Sequence, residues 1–183
     1  MERSATLLSD SEKGNSPLTV EQYRVWFLSQ MERNSTQFNI NLAYKIFGDL
    51  DYTILESSLN LIVERHDTLR TVFRSNGNEP EQVVMEDLWI PINIIKPNIV
   101  EIEDQAIELQ ALELLEKEIE KPFSLENGPL INLTIYELNS NERLLLFKIH
   151  HIIADFQSLE TLIKELGYNY NLKLKGEEYN LPA

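Results

Sequence analysis

The sequence contains no cysteine, and this absence excludes several kinds of site at once. Disulfide bonds, zinc sites with thiolate ligands and cysteine nucleophiles all require that residue. Histidine is scarce as well, with three residues in the chain. A zinc site would have to take its remaining ligands from carboxylates, and their spacing does not favour one. We therefore expect no metal site.

Positive charge is also in short supply. The chain has 16 Lys and Arg against 30 Asp and Glu, a net charge of −14, and no basic cluster. This balance argues against a nucleic acid as partner. The chain contains no run of about 18 uncharged apolar residues, which is the length needed to cross a membrane. The N-terminal segment lacks the basic start and apolar stretch of a secretory signal. A cytoplasmic protein is expected.

Glycine and proline are few, at 6 and 7 residues, while 43% of the chain is hydrophobic. That composition is typical of a packed core and excludes wholesale disorder. The length fits one domain or part of a larger one. Residues 1–16 are polar and aperiodic and are interpreted as a flexible linker or tail, so the folded part is predicted to span residues 17–183.

Hydrophobic periodicity predicts helices and strands that do not strictly alternate, and therefore an α+β fold. Thr19 and Gln22 have the spacing of a capping box, and Asp51 suits a helix N-cap. One apolar stripe is predicted on the third helix, made of Ile102, Ala106, Leu109, Leu112, Leu115 and Ile119. Helices are predicted near residues 19–33, 51–66, 101–121 and 157–170, and strands near 42–47, 69–74, 82–85, 89–95, 130–138 and 143–149.

The adjacent histidines His150 and His151 are the most informative residues in the chain. Histidine titrates near neutral pH, so the pair, with Asp155 four residues on, suggests acid–base chemistry. Successive side chains of a strand point to opposite faces, so the two rings cannot converge on one atom. At most one of them is catalytic, and the other is structural.

Structural roles explain the same residues when spacing alone is considered. A histidine at a strand end is commonly a hydrogen-bonded core residue, and Asp155 could simply be the N-cap of the last helix. Arg70 could form a surface ion pair of small energetic value. A short His-His-x-x-x-Asp string does not decide between these roles and catalysis.

Four stretches together resemble the condensation domains of nonribosomal peptide synthetases and their chloramphenicol-acetyltransferase-like relatives. They occur in the family's order and cover nearly the whole chain. His150 to Asp155 match the HHxxxD signature, although Phe156 stands where glycine usually follows, and Ser124 stands where aspartate is usual. The stretches are LTVEQYRVWFLSQM (Leu18 to Met31), RHDTLRTVF (Arg65 to Phe73), KPFSLENGPL (Lys121 to Leu130) and HHIIAD (His150 to Asp155).

The resemblance implies the N-terminal subdomain of a two-part enzyme whose active site lies at the junction of the halves. The fold would be a chloramphenicol-acetyltransferase-like half-domain, a mixed β-sheet with helices on one side. The activity would be amide-bond formation between acyl or peptidyl and aminoacyl thioesters. Upstream and downstream peptidyl carrier proteins and the missing C-terminal subdomain would be the partners. No cofactor would be bound directly, because the carriers supply the phosphopantetheine arms.

The resemblance also implies a role for each candidate residue. His151, the second histidine of the signature, would be the catalytic group that accepts or positions a proton of the amine. His150 and Asp155 would support the site structurally, with Asp155 paired to Arg70 to hold the loop. We expect His151 to be exposed, and an apolar surface to lie near it where the second half docks.

Two other functions remain open at this point. One is a stand-alone acyltransferase of the same superfamily that uses coenzyme A or a carrier thioester. The other is a non-catalytic half-domain that binds a carrier, which Phe156 favours and an intact His151 disfavours. A heterocyclising relative does not fit, since that branch replaces the histidine pair with aspartates.

Overall fold

A computed structural model describes residues 16–32, 34–77, 79–97 and 104–177. The helices are α1 (Val20–Met31), α2 (Tyr52–Arg65), α3 (Asp104–Ile119) and α4 (Phe156–Leu174), with a short 3-10 helix at Asp67–Arg70. The strands are β1 (Ser16–Pro17), β2 (Asn39–Phe47), β3 (Thr71–Asn76), β4 (Glu79–Val84), β5 (Asn93–Ile95), β6 (Ile131–Glu137) and β7 (Glu142–His150).

The larger sheet has four strands in the order β2-β7-β6-β5. Strand β7 pairs antiparallel with β2 and β6, and β5 lies parallel to β6 at one edge. This arrangement confirms the predicted mixed sheet. A second, antiparallel sheet has the order β1-β4-β3. Because β7 is the longest interior strand, with neighbours on both sides, its C-terminal end is held firmly in the middle of the large sheet.

Helices cover both faces of the large sheet, so the expectation of helices on one side is wrong. On one face, Leu145, Phe147 and Ile149 of β7 share a core with α2 and α4. On the other face, Leu144 and Leu146 pack against α3. The strand is therefore apolar on both faces, and eight of its nine residues are buried. Its C-terminal residues Lys148 and His150 continue the α3 face.

Local sequence signals placed several element ends correctly. The side chain of Thr19 accepts a hydrogen bond from the N–H of Gln22, and the Gln22 side chain accepts one from the N–H of Thr19. Asp51 caps α2 by accepting from the N–H of Ile54 at 2.9 Å. The turn between β6 and β7 is closed by Asn139, whose side chain accepts from two backbone N–H groups. These signals act within three residues and need no knowledge of the rest of the fold.

The predicted apolar stripe of α3 is only partly correct. Leu109 and Leu112 are exposed, at 63% and 41% of their surface. Leu115 of the predicted stripe is buried and Ile119 packs partly buried beside it, together with Ala111, which was not in the stripe. Leu109 lies on nearly the opposite side of the helix from this buried face, and Leu112 lies at its edge. Ile102 and residues 101–103 lie outside the described residues.

The folded part begins slightly earlier than predicted. Ser16 and Pro17 pair with Gln82 and Glu81 of β4, so Ser16 belongs to a strand and not to a linker. The rest of the predicted linker, residues 1–15, lies outside the described residues.

Candidate active site at the end of strand β7

Both histidines of interest are fixed by backbone hydrogen bonds at the end of β7. The N–H of His150 donates to the carbonyl of Leu130 at 2.9 Å, and the N–H of His151 donates to the carbonyl of Phe38 at 2.8 Å. The chain then turns, with the N–H of Ile153 bonded to the carbonyl of His150 at 3.1 Å. Two neighbouring segments therefore hold the point where strand becomes turn.

The ring of His150 is enclosed, with 4% of the residue exposed. It lies between two aromatic rings, Phe38 and Phe123, each with its centroid 6.2 Å away. Its Nδ1 accepts a hydrogen bond from the N–H of Ile152 at 3.2 Å. Burial, and secondarily the neighbouring His151, lower the pKa of His150 to about 4. The ring is therefore neutral at pH 7 and serves as an acceptor for the turn.

His151 lies in the opposite situation, exposed to solvent directly after the strand. Its Nδ1 is 3.0 Å from the carbonyl oxygen of Ala154. Because a carbonyl oxygen only accepts, Nδ1 carries the proton in this contact, and the lone pair of the neutral ring is on Nε2. No described residue hydrogen-bonds that Nε2. The two histidines thus have separate surroundings, as strand alternation predicted, and only His151 offers a free basic nitrogen to solvent.

The predicted ion pair between Asp155 and Arg70 is wrong. Asp155 is exposed and caps α4, with its Oδ1 accepting from the N–H and the Oγ–H of Ser158 at 2.7 and 2.6 Å. These hydrogen bonds hold the pKa of Asp155 below its usual value. Arg70 binds Asp67 and donates to the carbonyl of Met85 at 2.9 Å. The N–H and Oγ–H donors of Ser158, three residues further on, satisfy Asp155 locally, so no long-range cation is needed.

The RHDTLRT stretch is anchored instead through its histidine, His66. Nε2 of His66 lies 2.8 Å from Oε2 of Glu165, and Arg65 approaches the other oxygen of the same carboxylate at 3.4 Å. These contacts join the end of α2 to α4. Sequence reasoning missed this link because nothing in the spacing pairs Glu165 with His66, which lies 99 residues away along the chain.

A small cleft opens beside His150. It has a volume of about 270 Å³ and lies between the C-terminal end of α1 with the following turn and the segment 122–126. His150 and Phe123 both line it. Ser124, which stands where the family has aspartate, accepts from the N–H and side-chain amide of Asn127 at 3.4 and 2.9 Å. The hydroxyl therefore caps the turn at 125–127.

Lys148 is a buried cation that sequence reasoning did not single out. Its side chain is 3% exposed. Nζ lies 2.7 Å from the carbonyl of Glu118, 3.2 Å from the carbonyl of Lys121 and 3.3 Å from Oε1 of Glu118. Burial lowers its pKa, and the Glu118 carboxylate opposes that shift. A lysine inside the apolar run LLLFKI was the available signal.

Phe156 does not distort the turn that precedes it. It is the first residue of α4, and 66% of its surface is exposed. A helical position accepts any ordinary side chain, so the absence of the usual glycine leaves the cap formed by Asp155 intact. The ring lies on the solvent side, one residue beyond the cap.

The sequence matches a known protein family over most of its length. A family model described as "Condensation domain" matches residues 12–183. The chain belongs to the condensation-domain family. It is 34% identical to one of the subunits of linear gramicidin synthase from Brevibacillus parabrevis over 176 residues, which are 96% of this chain and 3% of that protein. It is also 34% identical to surfactin synthase subunit 2 of Bacillus subtilis (strain 168), over 91% of this chain and 4% of that protein.

Solved condensation domains share the fold. The starter condensation domain of rhizomide synthetase RzmA aligns with a TM-score of 0.81 at 19% identity, over 92% of this chain and 41% of that chain. The first condensation domain of the CDA synthetase aligns with a TM-score of 0.77 at 19% identity, over 94% of this chain and 44% of that chain. The chain therefore spans less than half of these condensation-domain structures and a few per cent of the synthetases it matches.

Helix α1 exposes apolar side chains and contacts the turn after His151 through Gln22. None of the α1 residues, all of which are described, is buried. Gln22 of α1 donates to the carbonyl of Ile152 at 3.4 Å, which places the helix beside the turn after His151. Five of its large apolar side chains are at least 45% exposed: Val20, Tyr23, Phe27, Leu28 and Met31.

Two kinds of feature are absent from the described part of the chain. No helix in it is both long and apolar enough to cross a membrane. No group of three or more His, Asp and Glu residues in it is arranged to hold a metal ion.

Proposed function

We propose that this chain is the histidine-bearing N-terminal half of a condensation domain that forms an amide bond between two carrier-bound thioesters. The observation that carries the proposal is the presentation of His151. Its Nδ1 is engaged by the Ala154 carbonyl, while Nε2 is exposed at the edge of the fold. A basic nitrogen fixed in direction and open to a substrate suits proton transfer or hydrogen bonding to an attacking amine.

The chemistry needs one group at the amine. The aminoacyl amine attacks the carbonyl carbon of the acyl thioester, a C–N bond forms, and the C–S bond breaks. The amine loses a proton, and the departing sulfur ends as a thiol. Nε2 of His151 accepts that proton or positions the N–H by a hydrogen bond. The phosphopantetheine arms that carry both thioesters belong to the carrier proteins.

His150 supports this arrangement from the other side of the strand. Its neutral ring accepts from the N–H of Ile152 and thereby fixes the turn in which His151 sits. Asp155 ends the turn by capping α4. Arg70 holds the 3-10 helix to Met85 and contributes to the site only through the fold.

A second wall completes the proposed site. Holding two tethered substrates in attack geometry is worth roughly 7–11 kcal/mol of the barrier, and that positioning needs contacts on both sides of the substrates. The exposed apolar side chains of α1 lie beside the turn after His151, and we propose that the C-terminal condensation subdomain covers them. An exposed apolar patch of this kind marks an interaction surface.

The test supplies upstream and downstream carriers loaded with acyl and aminoacyl groups. We expect no amide from the 183 residues alone, and amide when the C-terminal subdomain is added in trans. The product should disappear with His151→Ala. His66→Ala is a matched control, since it removes a histidine that binds Glu165 and lies outside the proposed site.

The rival functions give different outcomes in the same assay. Amide formation by the 183 residues alone would contradict the two-wall proposal. Acyl transfer from coenzyme A to a free amine, without any carrier, would favour the stand-alone acyltransferase. Carrier binding with no product in the mixture would favour a non-catalytic half-domain.

A further inference from the structure

Lys148 is placed unusually for a lysine, because its ammonium group is buried between the sheet and the end of a helix. Isolated burial of such a charge is costly and is tolerated when its hydrogen bonds are satisfied. An ammonium group has three donors, and three acceptor oxygens lie within 3.3 Å of Nζ, two from Glu118 and one from Lys121. The group is therefore fully used, and its acceptors are fixed in place.

These acceptors belong to a helix end and to the segment that follows it. The carbonyl of Glu118 is in the last turn of α3, where helix carbonyls lack intrahelical partners and a cation is favourable. Lys121 is the first residue of segment 121–123, and its carbonyl also accepts from the side chain of Asn39 at 3.2 Å. Lys148 therefore fastens the end of α3 and the start of this segment to the middle of the sheet.

The fastened segment reaches the histidine pair through Phe123. Nζ of Lys148 lies 5.1 Å from the centroid of the Phe123 ring, within the range of a cation–π contact. The same ring meets His150 edge-on, at 6.2 Å and an interplanar angle of 81°. His150 then accepts from the N–H of Ile152, the residue after His151. An unbroken series of contacts thus joins Lys148 to the turn that presents His151.

We propose that Lys148 is a positioning residue for this reaction: it holds segment 121–123 against His150, and His150 fixes the turn that presents His151. The proposal rests on the function proposed above. Lys148 touches no substrate, because its ammonium group is enclosed by Glu118, Lys121 and Phe123. Its effect is on where the Nε2 of His151 lies.

The experiment compares Lys148→Met, which keeps the length and removes the charge, with Lys148→Arg, which keeps charge and donors. Lys45→Met is the matched control, since Lys45 lies in the same sheet and also binds glutamates, but at the surface. Amide formation is measured with the C-terminal subdomain added, at several substrate concentrations. Independently, nuclear magnetic resonance of the chain alone follows the Ile152 amide and both histidine rings.

We expect Lys148→Met to lower kcat roughly 10- to 100-fold, because small displacements of a positioned group have effects of this size. KM should stay near the wild-type value, the Ile152 amide and the His150 ring signals should shift, and Lys148→Arg should restore much of both. Wild-type signals and kcat in Lys148→Met would overturn the proposal.

A second variant covers a failure of Lys148→Met to fold. Phe123→Leu keeps the cation and its three acceptors but removes the ring edge that contacts His150. A shift of the Ile152 and His150 signals in Phe123→Leu supports the contact series, and unchanged signals overturn it. If the wild-type mixture makes no amide, the proposed function fails, while the resonance data still decide whether Lys148 positions the turn.

Discussion

The two adjacent histidines at the end of β7 show how one strand can serve two purposes. His150 lies between two aromatic rings, and burial keeps it neutral. His151 is one residue further on and exposed to solvent, with one nitrogen engaged and the other free. The same side-chain chemistry is thus used once as a structural acceptor and once as an open basic group.

This difference arises from backbone geometry. Strand β7 ends at His150, so His151 already lies in the turn that follows. The rings of Phe38 and Phe123 cover His150, whereas His151 is exposed. Burial therefore lowers the pKa of the His150 ring, and each ring can be altered separately.

The largest expected effect separates the two histidines by function. His151→Ala should lower amide formation in the two-subdomain mixture about 10²- to 10⁴-fold, the usual contribution of a positioned acid–base group. The free energy of unfolding should change by no more than about 0.5 kcal/mol, because the ring is exposed. Chemical denaturation of the chain checks stability beside the activity assay. A large loss of stability would mean that His151 is also structural.

The next effect is the contribution of His150 to the loss of stability in acid. Folded His150 has a pKa of about 4, against 6.5 for the unperturbed group. Between these values the unfolded chain binds a proton that the folded chain does not. Stability from the neutral ring is therefore complete above pH 6.5 and is lost as the pH falls towards 4, by roughly 3 kcal/mol in total.

The measurement is the free energy of unfolding from about pH 7 to about pH 4 for wild type and His150→Asn. Asparagine can still accept from the N–H of Ile152 but does not titrate. We expect the variant to lose less stability on acidification than wild type. Equal slopes would show that His150 is not held neutral by its surroundings.

A smaller effect tests how the turn after the histidines ends. Asp155→Ala should lower the unfolding midpoint by roughly 2–6 °C, since it removes the N-cap of α4. Asp155→Ser should recover part of that loss. Because Arg70 binds elsewhere, the midpoint shifts of Asp155→Ala and Arg70→Met should add in the double variant. A double variant with an unfolding midpoint no lower than that of either single variant would indicate an ion pair between Asp155 and Arg70, which the structure contradicts.

The smallest effect concerns Phe156, next to the same cap. Phe156→Ala should change the free energy of unfolding by no more than about 0.5 kcal/mol, because the ring is exposed. Phe147→Ala, in the buried core of β7, is the matched comparison and should cost about 3–5 kcal/mol. Thermal and denaturant unfolding of both variants checks the contrast. A large effect of Phe156→Ala would place its ring in a contact absent from this fold.

Much of the fold could be predicted because its signals are local. The capping box at Thr19 and the N-cap at Asp51 depend on groups within three residues. The two-residue period of a strand predicts the separation of His150 from His151, and the structure separates them because β7 ends between them. The buried face of α3 could not be predicted, because the apolar residues of that helix surround more of it than the sheet covers. Which of them pack depends on where β7 lies.

The partners of charged groups were the least predictable part of the site. The family resemblance pairs Asp155 with a distant arginine, yet Ser158 satisfies it from the next turn of chain. Lys148 gives no sign of its partners in the sequence, since its three acceptors come from a helix end that is remote along the chain. At Asp155 local hydrogen bonds replace the expected long-range ion pair, whereas the long-range contacts of buried charges require the fold itself.

The lack of burial along α1 has a consequence for the motions of the molecule. A helix held by a capping box and by half-buried Val25 and Trp26, without a fully enclosed side chain, opens at a lower free energy than the sheet. Its amide hydrogens should exchange with solvent well before those of β7. A subdomain that binds α1 would bind only its folded form, so docking and the folding of α1 are thermodynamically linked. The measured free energy of docking would therefore include the free energy of folding α1.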